Sequence, residues 1–209
     1  MDKNPRTGRL LAKAGSAVTL RLSAADRAFL RDLAKALIID THIADTVHYA
    51  DRLQGARRRL DKLVAAGILA RIEIGAPKGM KKTTAWQFAN KAVARAWGGD
   101  VPGVGTNRSH YHEMLAGRAY FELGRPAHFR LAHQFTREDQ LLFGGTAPDA
   151  IATSAHGDVI FIEADSGHYT KTQIRQKQQA WAGVRQFWIQ PRKAMAVVPL
   201  SGRVSAIRV

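Results

Sequence analysis

From residue 23 onward the apolar positions recur at helical spacing. Leu30, Leu33, Ala34 and Leu37 form one stripe with Phe29 beside it, and Ser23, with Asp26 three residues on, stands where an N-cap belongs. The pattern predicts a helix over 23–37. Asp40-Thr41 can cap a short second helix through Ile43, Ala44 and Val47. A third helix is predicted from about Asp51 to Ala66, with Leu53, Ala56, Leu60, Leu63 and Val64 inward and Gly67 at its C-cap. Residues 68–74 and 83–89 then read as two strands joined by the basic turn Gly75-Ala-Pro-Lys-Gly-Met-Lys-Lys. A short helix over 90–97 closes a first domain, 1–97. The Gly- and Pro-rich stretch 98–108 is the expected linker to a second domain, 109–209.

In that second domain Ser109 is expected to cap a helix through Leu123, burying Tyr111, Met114, Leu115, Ala119 and Phe121. Its acids Glu113 and Glu122 are nine residues apart and point to opposite faces at about 100° per residue, so they read as surface. Gly124-Arg-Pro breaks the chain, and 129–135 reads as extended. The stretch 148–181 reads as strand, turn, strand and helix. Residues 186–190, 194–199 and 204–209 read as further strands.

The stretch 148–181 concentrates the candidate chemistry. With Ser154–Asp158 as its loop, an antiparallel hairpin sets Thr153 opposite Val159, Ile151 opposite Phe161 and Asp149 opposite Glu163. Asp165 follows Glu163 on the same face if the strand continues. Facing carboxylates repel, and a hard cation such as Mg²⁺ is the usual reason to keep them together. The bland alternative is a pair of solvated acids at a strand end. Behind the hairpin, Thr170 can cap a helix whose stripe is Ile174, Trp181 and Val184. Lys177 falls on that sheet-facing side, within reach of the acids unless it snorkels to solvent.

Charge sharpens the picture. The 209 residues carry a net charge of +15. Residues 1–97 hold 19 Lys/Arg against 8 Asp/Glu, a net of +11, whereas 98–209 hold 13 against 9, a net of +4. Such an excess points to a polyanion, most commonly nucleic acid. Three helices followed by a hairpin with a basic tip is the winged helix-turn-helix pattern. Its third helix would enter the major groove of double-stranded DNA with Arg52, Arg57, Arg58, Arg59 and Lys62, and Lys78, Lys81 and Lys82 of the wing would meet phosphate. The alternative is a solvated basic face. In the second half Glu138, Asp139, Asp149, Glu163 and Asp165 cluster in and just before the hairpin stretch, which a merely solvated surface would not require.

Other chemistries lose ground. The absence of cysteine excludes disulfides and thiolate zinc sites. No apolar run is long enough for a membrane span, and the first nine residues read as a basic arm without a signal-peptide core. A cytoplasmic protein is expected. No phosphate-binding Gly-rich motif ending in Lys-Ser/Thr and no Gly-x-Ser-x-Gly is present. His110-Tyr111-His112 matches the His-hydrophobic-His pair that binds metal on a strand in tyrosine-dependent nickases. Here it begins a predicted helix, where i and i+2 diverge, so it is set aside.

At Pro148-Asp149, Ile162-Glu163-Ala164-Asp165 and Lys177-x-x-x-Trp181 the chain resembles the plasmid replication-relaxation family and related relaxases built on the PD-(D/E)xK nuclease fold. Arg137-Glu138 ahead of Pro148-Asp149 agrees with the order of motifs in that family. The resemblance implies an α+β protein: a winged helix followed by a restriction-endonuclease-like α/β domain. It implies Mg²⁺ or Mn²⁺ held by Asp149, Glu163 and Asp165, with Lys177 as the catalytic lysine and Glu138 completing the shell. Two positions depart from the pattern. Asp165 replaces the usual lysine, so Lys177 must substitute from the helix, and Ser166-Gly167-His168 stands where Arg-Gly-Thr is often found. The implied function is a DNA nickase or endonuclease of a plasmid or other mobile element, acting in replication or mobilisation. The alternative is a non-catalytic DNA-binding regulator whose nuclease-like half forms a homodimer.

Overall fold

The computed structural model describes residues 20–50, 53–75, 82–101, 107–143, 145–190 and 193–198. The expected basic arm, Arg52, Lys78, Lys81 and the strand over 204–209 lie outside the described residues. The chain is a mixed α and β protein with two sheets. It divides into two compact units, one reaching His110 and the other running from Tyr111 onward. Among the described residues no helix is long and apolar enough to cross a membrane.

Helix α1 (Ala24–Ala36) starts as its sequence dictates. The Ser23 hydroxyl accepts from Asp26 N at 3.1 Å, and Asp26 Oδ2 accepts from Ser23 N at 2.6 Å, satisfying two end donors reciprocally. Phe29, Leu30 and Leu33 are fully buried. The helix ends at Leu37, whose φ of 67° lies in the region normally left to glycine. This turns the chain into β1 (Ile39–Asp40), a two-residue strand that the hydrophobic pattern does not announce. Asp40 then caps α2 (Thr41–Ile43), accepting from Ile43 N at 2.8 Å. The second helix is shorter than expected because residues 44–48 widen into a π-turn, which leaves Val47 exposed rather than inward. Helix α3 (Leu53–Ala65) buries Ala56, Leu60 and Leu63. Strands β2 (Leu69–Ile74) and β3 (Thr83–Phe88) pair antiparallel, and β1 adds to β3, giving the order β1-β3-β2. Helix α4 (Lys91–Ala96) follows, capped by Asn90.

Arg59, expected among the DNA-facing cations, is engaged within the unit. Its Nε and Nη2 meet both oxygens of Asp26 at 2.5–3.0 Å, and Nη2 also donates to Arg21 O at 2.7 Å. Asp26 is wholly buried and also accepts from the Tyr49 hydroxyl at 3.0 Å. Burial alone would raise its pKa, but the bonds from Arg59 and Ser23 outweigh it and hold the carboxyl below its ordinary value. The helix-cap acid and the third-helix arginine form one buried joint, whereas Arg57, Arg58 and Lys62 stay exposed.

Helix α5 (Asn107–Glu122) begins two residues before Ser109, which is therefore helical and not its cap, and Phe121 is only half-buried. Strand β4 (Phe129–Leu131) is shorter than the expected extended segment because 132–134 coil into a 3₁₀ turn. The next residues form helix α6 (Arg137–Leu142), capped by Thr136. Strands β5 (Ala150–Thr153) and β6 (Val159–Ala164), helix α7 (Lys171–Ala180), β7 (Arg185–Gln190) and β8 (Lys193–Val198) complete a sheet ordered β4-β5-β6-β7-β8. Only β6 and β7 are parallel; α7 makes the crossover they require. The hairpin register is the expected one, with Thr153 opposite Val159 and Ile151 opposite Phe161.

Helices cover both faces of this sheet. Tyr120 of α5 stacks edge-on against Phe129 at 5.3 Å. On the other face Phe161 meets Phe143 at 5.5 Å and Trp181 at 5.6 Å. Helix α7 ends at Ala180, so Val184 lies beyond the helix and outside the predicted stripe. Buried Gln186 ties this end to β7: its amide donates to Gln178 O and Trp181 O and accepts from Trp188 Nε1. The lysine-bearing helix is thereby fixed over the sheet.

Removing Arg59 would strand a buried carboxylate. Arg59→Ala is expected to cost about 3–5 kcal/mol in urea unfolding, and the exposed Arg57→Ala less than about 0.5 kcal/mol. Equal losses would show that the Asp26 joint does not hold the first unit.

Candidate active site

The polar residues of the second sheet gather at one end. Asp149 immediately precedes β5, Glu163 is near the end of β6, Asp165 follows β6, and Gln190 ends β7. Because β5 runs against β6 and β7 runs with it, topology alone brings these four positions together. This is the strand-end edge at which open α/β sheets bind ligands.

Glu163 is the centre. It continues the face of Phe161, and its side chain is wholly buried. Oε1 accepts from the Tyr169 hydroxyl and from the Lys177 ammonium. Oε2 is buried and has no hydrogen-bond partner among the described residues. Lys177 is mostly buried too, with its ammonium 5.0 Å from the Tyr169 ring centroid and 5.4 Å from that of Trp181. The two aromatic faces shield it and favour its charge.

Asp149 faces this pair. Oδ2 accepts from Ala164 N at 2.8 Å, and Oδ1 lies 2.8 Å from His112 Nε2 on α5. The Asp149 hydrogen bond raises the His112 pKa against the opposing effect of burial. Burial, and then the charge of Asp149, push Glu163 up to about 7 despite the bonds from Lys177 and Tyr169. Burial and the neighbouring Glu163 carboxylate hold the Tyr169 phenol above its ordinary range.

The structure thus brings together Asp149, Glu163 and Lys177. It does not bring in all the expected acids. Both oxygens of Asp165 are engaged, one by Gly167 N at 2.8 Å and the other by Gln190 Nε2 at 2.9 Å. Asp165 is held as Asp149 is, with both oxygens occupied, and its charge is felt at Tyr169. Glu138 is exposed in the first turn of α6 and makes no hydrogen bond to the centre among the described residues. In that turn it is the neighbouring Asp139 that is pinned, by Arg130 at 2.6 and 2.9 Å.

His112, Tyr169 and Gln190 are the residues that sequence reasoning missed. His112 carries half of a signal: a helix separates the two histidines of the His-x-His triplet, yet one of them suffices to reach Asp149. Tyr169 sits in an irregular loop, and Gln190 comes in only through the β6–β7 pairing; neither position has a local pattern.

Among the described residues no three His, Cys, Asp or Glu side chains form a closed cation cage. Mg²⁺ does not require one, since it commonly takes one or two carboxylates, keeps several waters and binds substrate phosphate. The unpaired Glu163 Oε2 beside Asp149 fits that mode. Asp149 and Glu163 would hold such an ion, or Mn²⁺, which would supply Lewis-acid chemistry toward a phosphate.

No protein-family model matches the chain, and neither curated proteins nor solved structures yield a match.

The raised Glu163 pKa has a thermodynamic consequence. In the folded state the group keeps a proton that the unfolded chain releases near 4.5, so its contribution is full below that value and fades as pH rises through about 7. Glu163→Gln removes this dependence. Without divalent metal, its stability relative to wild type should improve steadily across that window in denaturant titrations. A pH-independent difference would contradict the assigned shift.

Proposed function

We propose that the chain is a DNA-binding protein whose second unit cleaves a phosphodiester bond with the help of Mg²⁺ or Mn²⁺. The observation that carries this reading is the buried, unpaired Glu163 Oε2 beside Asp149, with a lysine on the opposite oxygen. A bound divalent ion would polarise a phosphate and lower the pKa of an attacking water. Asp149 and Glu163 would hold it. Lys177 supplies a fixed positive charge where negative charge grows on phosphorus, and the ring faces of Tyr169 and Trp181 keep that charge in place. Tyr169 orients Glu163 so that its second oxygen remains available. His112 orients Asp149. The +11 of residues 1–97 supplies the polyanion affinity. Three helices followed by an antiparallel hairpin support a winged-helix reading of the first unit, with Arg57, Arg58, Lys62 and Lys82 as its exposed cations. The resemblance drawn from the sequence motifs would place such an enzyme in plasmid replication or mobilisation, as a nickase or endonuclease.

A second reading rests on a different observation. Each acid already has an internal partner: His112 on Asp149, Lys177 on Glu163, and Gln190 with Gly167 on Asp165. A self-neutralised centre of this kind suits a regulator that keeps the nuclease-like fold without the reaction.

Incubation with supercoiled plasmid separates the two. The enzyme reading expects nicked or linear product with Mg²⁺ or Mn²⁺, and a loss of about 10²-fold or more in Lys177→Met with DNA binding unchanged. A wild-type chain that binds DNA but leaves it intact with either ion would favour the regulator.

A further inference from the structure

The first unit carries a concavity that the cleavage chemistry does not use. It lies between the start of α1 and one side of α3 and has a volume of about 830 Å³. That is within the range of small-ligand sites, roughly 300–1,000 Å³. Arg21, Arg58 and Lys62 are among its lining residues, with Leu22, His48, Tyr49 and the paired Arg59.

The charge balance of this pocket is uneven for a structural reason. Asp26, buried behind the lining residues Ser23, Tyr49 and Arg59 and bonded to all three, is not part of the lining and is already matched. The Asp32 carboxylate lies outside the lining, 3.4 Å from His48 Nε2. The side chains of Arg21, Arg58 and Lys62 have no hydrogen bond or ion pair among the described residues. Three uncompensated cations on one concave wall repel each other, and a low-dielectric rim focuses their field inward. On a convex face they would spread into solvent. In a pocket of this size an anion relieves the repulsion. Two guanidinium forks and an ammonium match the oxygens of a phosphate in particular.

We propose that this pocket is a phosphate-binding site in which Arg21, Arg58 and Lys62 close around a phosphoryl group, supplied by a nucleic-acid backbone or by a free phosphorylated ligand. The Asp26–Arg59 joint forms the rigid floor. Arg59 is a positioning residue, holding the backbone of Arg21 through its carbonyl. Where the phosphate is that of DNA, the site rests on the nucleic-acid reading above. Where it is free, the site stands apart from it.

The test uses the full chain, inorganic pyrophosphate and a short DNA duplex. Binding is followed by calorimetry for the wild type, for Arg58→Gln with Lys62→Gln, and for Arg95→Gln, which alters an exposed arginine of α4 outside the pocket. Circular dichroism confirms the fold, and the replaced side chains are exposed. The double variant is expected to bind pyrophosphate at least about tenfold more weakly, with Arg95→Gln within about twofold of wild type; a tenfold loss is 1.4 kcal/mol. If duplex displaces pyrophosphate from the wild type, the phosphate is the backbone's, and the salt dependence of duplex binding should be shallower in the double variant. If it does not displace it, the ligand is a free phosphorylated molecule. Wild type that ignores pyrophosphate, or a double variant that binds it as well as wild type does, overturns the proposal. Failure of plasmid cleavage would leave this result untouched, so the two readings fall separately.

Discussion

A carboxylate buried at the end of a β-strand is costly unless something meets its charge. In this protein that carboxylate is Glu163, and the arrangement around it follows from that constraint. Lys177 and Tyr169 answer one oxygen. The other is buried without a hydrogen-bond partner among the described residues, and the negative charge of Asp149 makes ionisation harder still. The pair is therefore unstable as two bare anions and stable with a proton or a cation between them. That single electrostatic conflict links the fold to the proposed chemistry.

The fold is built to impose the conflict. Antiparallel pairing places Asp149 beside Glu163, and the parallel crossover lays α7 across the same strand end. Trp181 packs on Phe161, donates to Thr146 O at 2.9 Å, and is held from behind by Gln186. Such clamping keeps Lys177 from escaping to solvent along its flexible stem. In the first unit the same logic appears without an open end: Asp26 is buried deeper in its hydrogen bonding, and Arg59, Tyr49 and Ser23 between them satisfy it. One acid is a closed joint and the other retains an unpaired oxygen, which is why one reads as structure and the other as chemistry.

Much of this was legible in the sequence where physics is local. The Ser23–Asp26 cap, the Thr170 cap and the 3.6-residue stripes located helices, and a period of two with turn residues set the register that joins Asp149 to Glu163. The helical phase of Lys177 was sufficient to bring it to Glu163. What escaped depends on pairing between distant segments. Nothing near Ile39 signals a strand that forms only because β3 offers an edge. Gln190 enters through parallel neighbours, and His112 through the approach of α5. Arg59 looked like a member of a basic run with Arg57 and Arg58, yet helical rotation turns it toward α1, where a buried acid claims it. Asp165 follows β6, and its two partners, Gly167 and Gln190, are contacts that no local pattern announces.

The central claim is that the unpaired oxygen of Glu163 is a cation ligand. Electron paramagnetic resonance of Mn²⁺ titrated into the protein at constant pH tests it without relying on turnover. The account predicts one bound ion per chain, weakened at least about tenfold by Glu163→Gln or by Asp149→Asn and little changed by replacing the exposed Glu138. Mn²⁺ that fails to bind, or that binds equally well to wild type and Glu163→Gln, would contradict it.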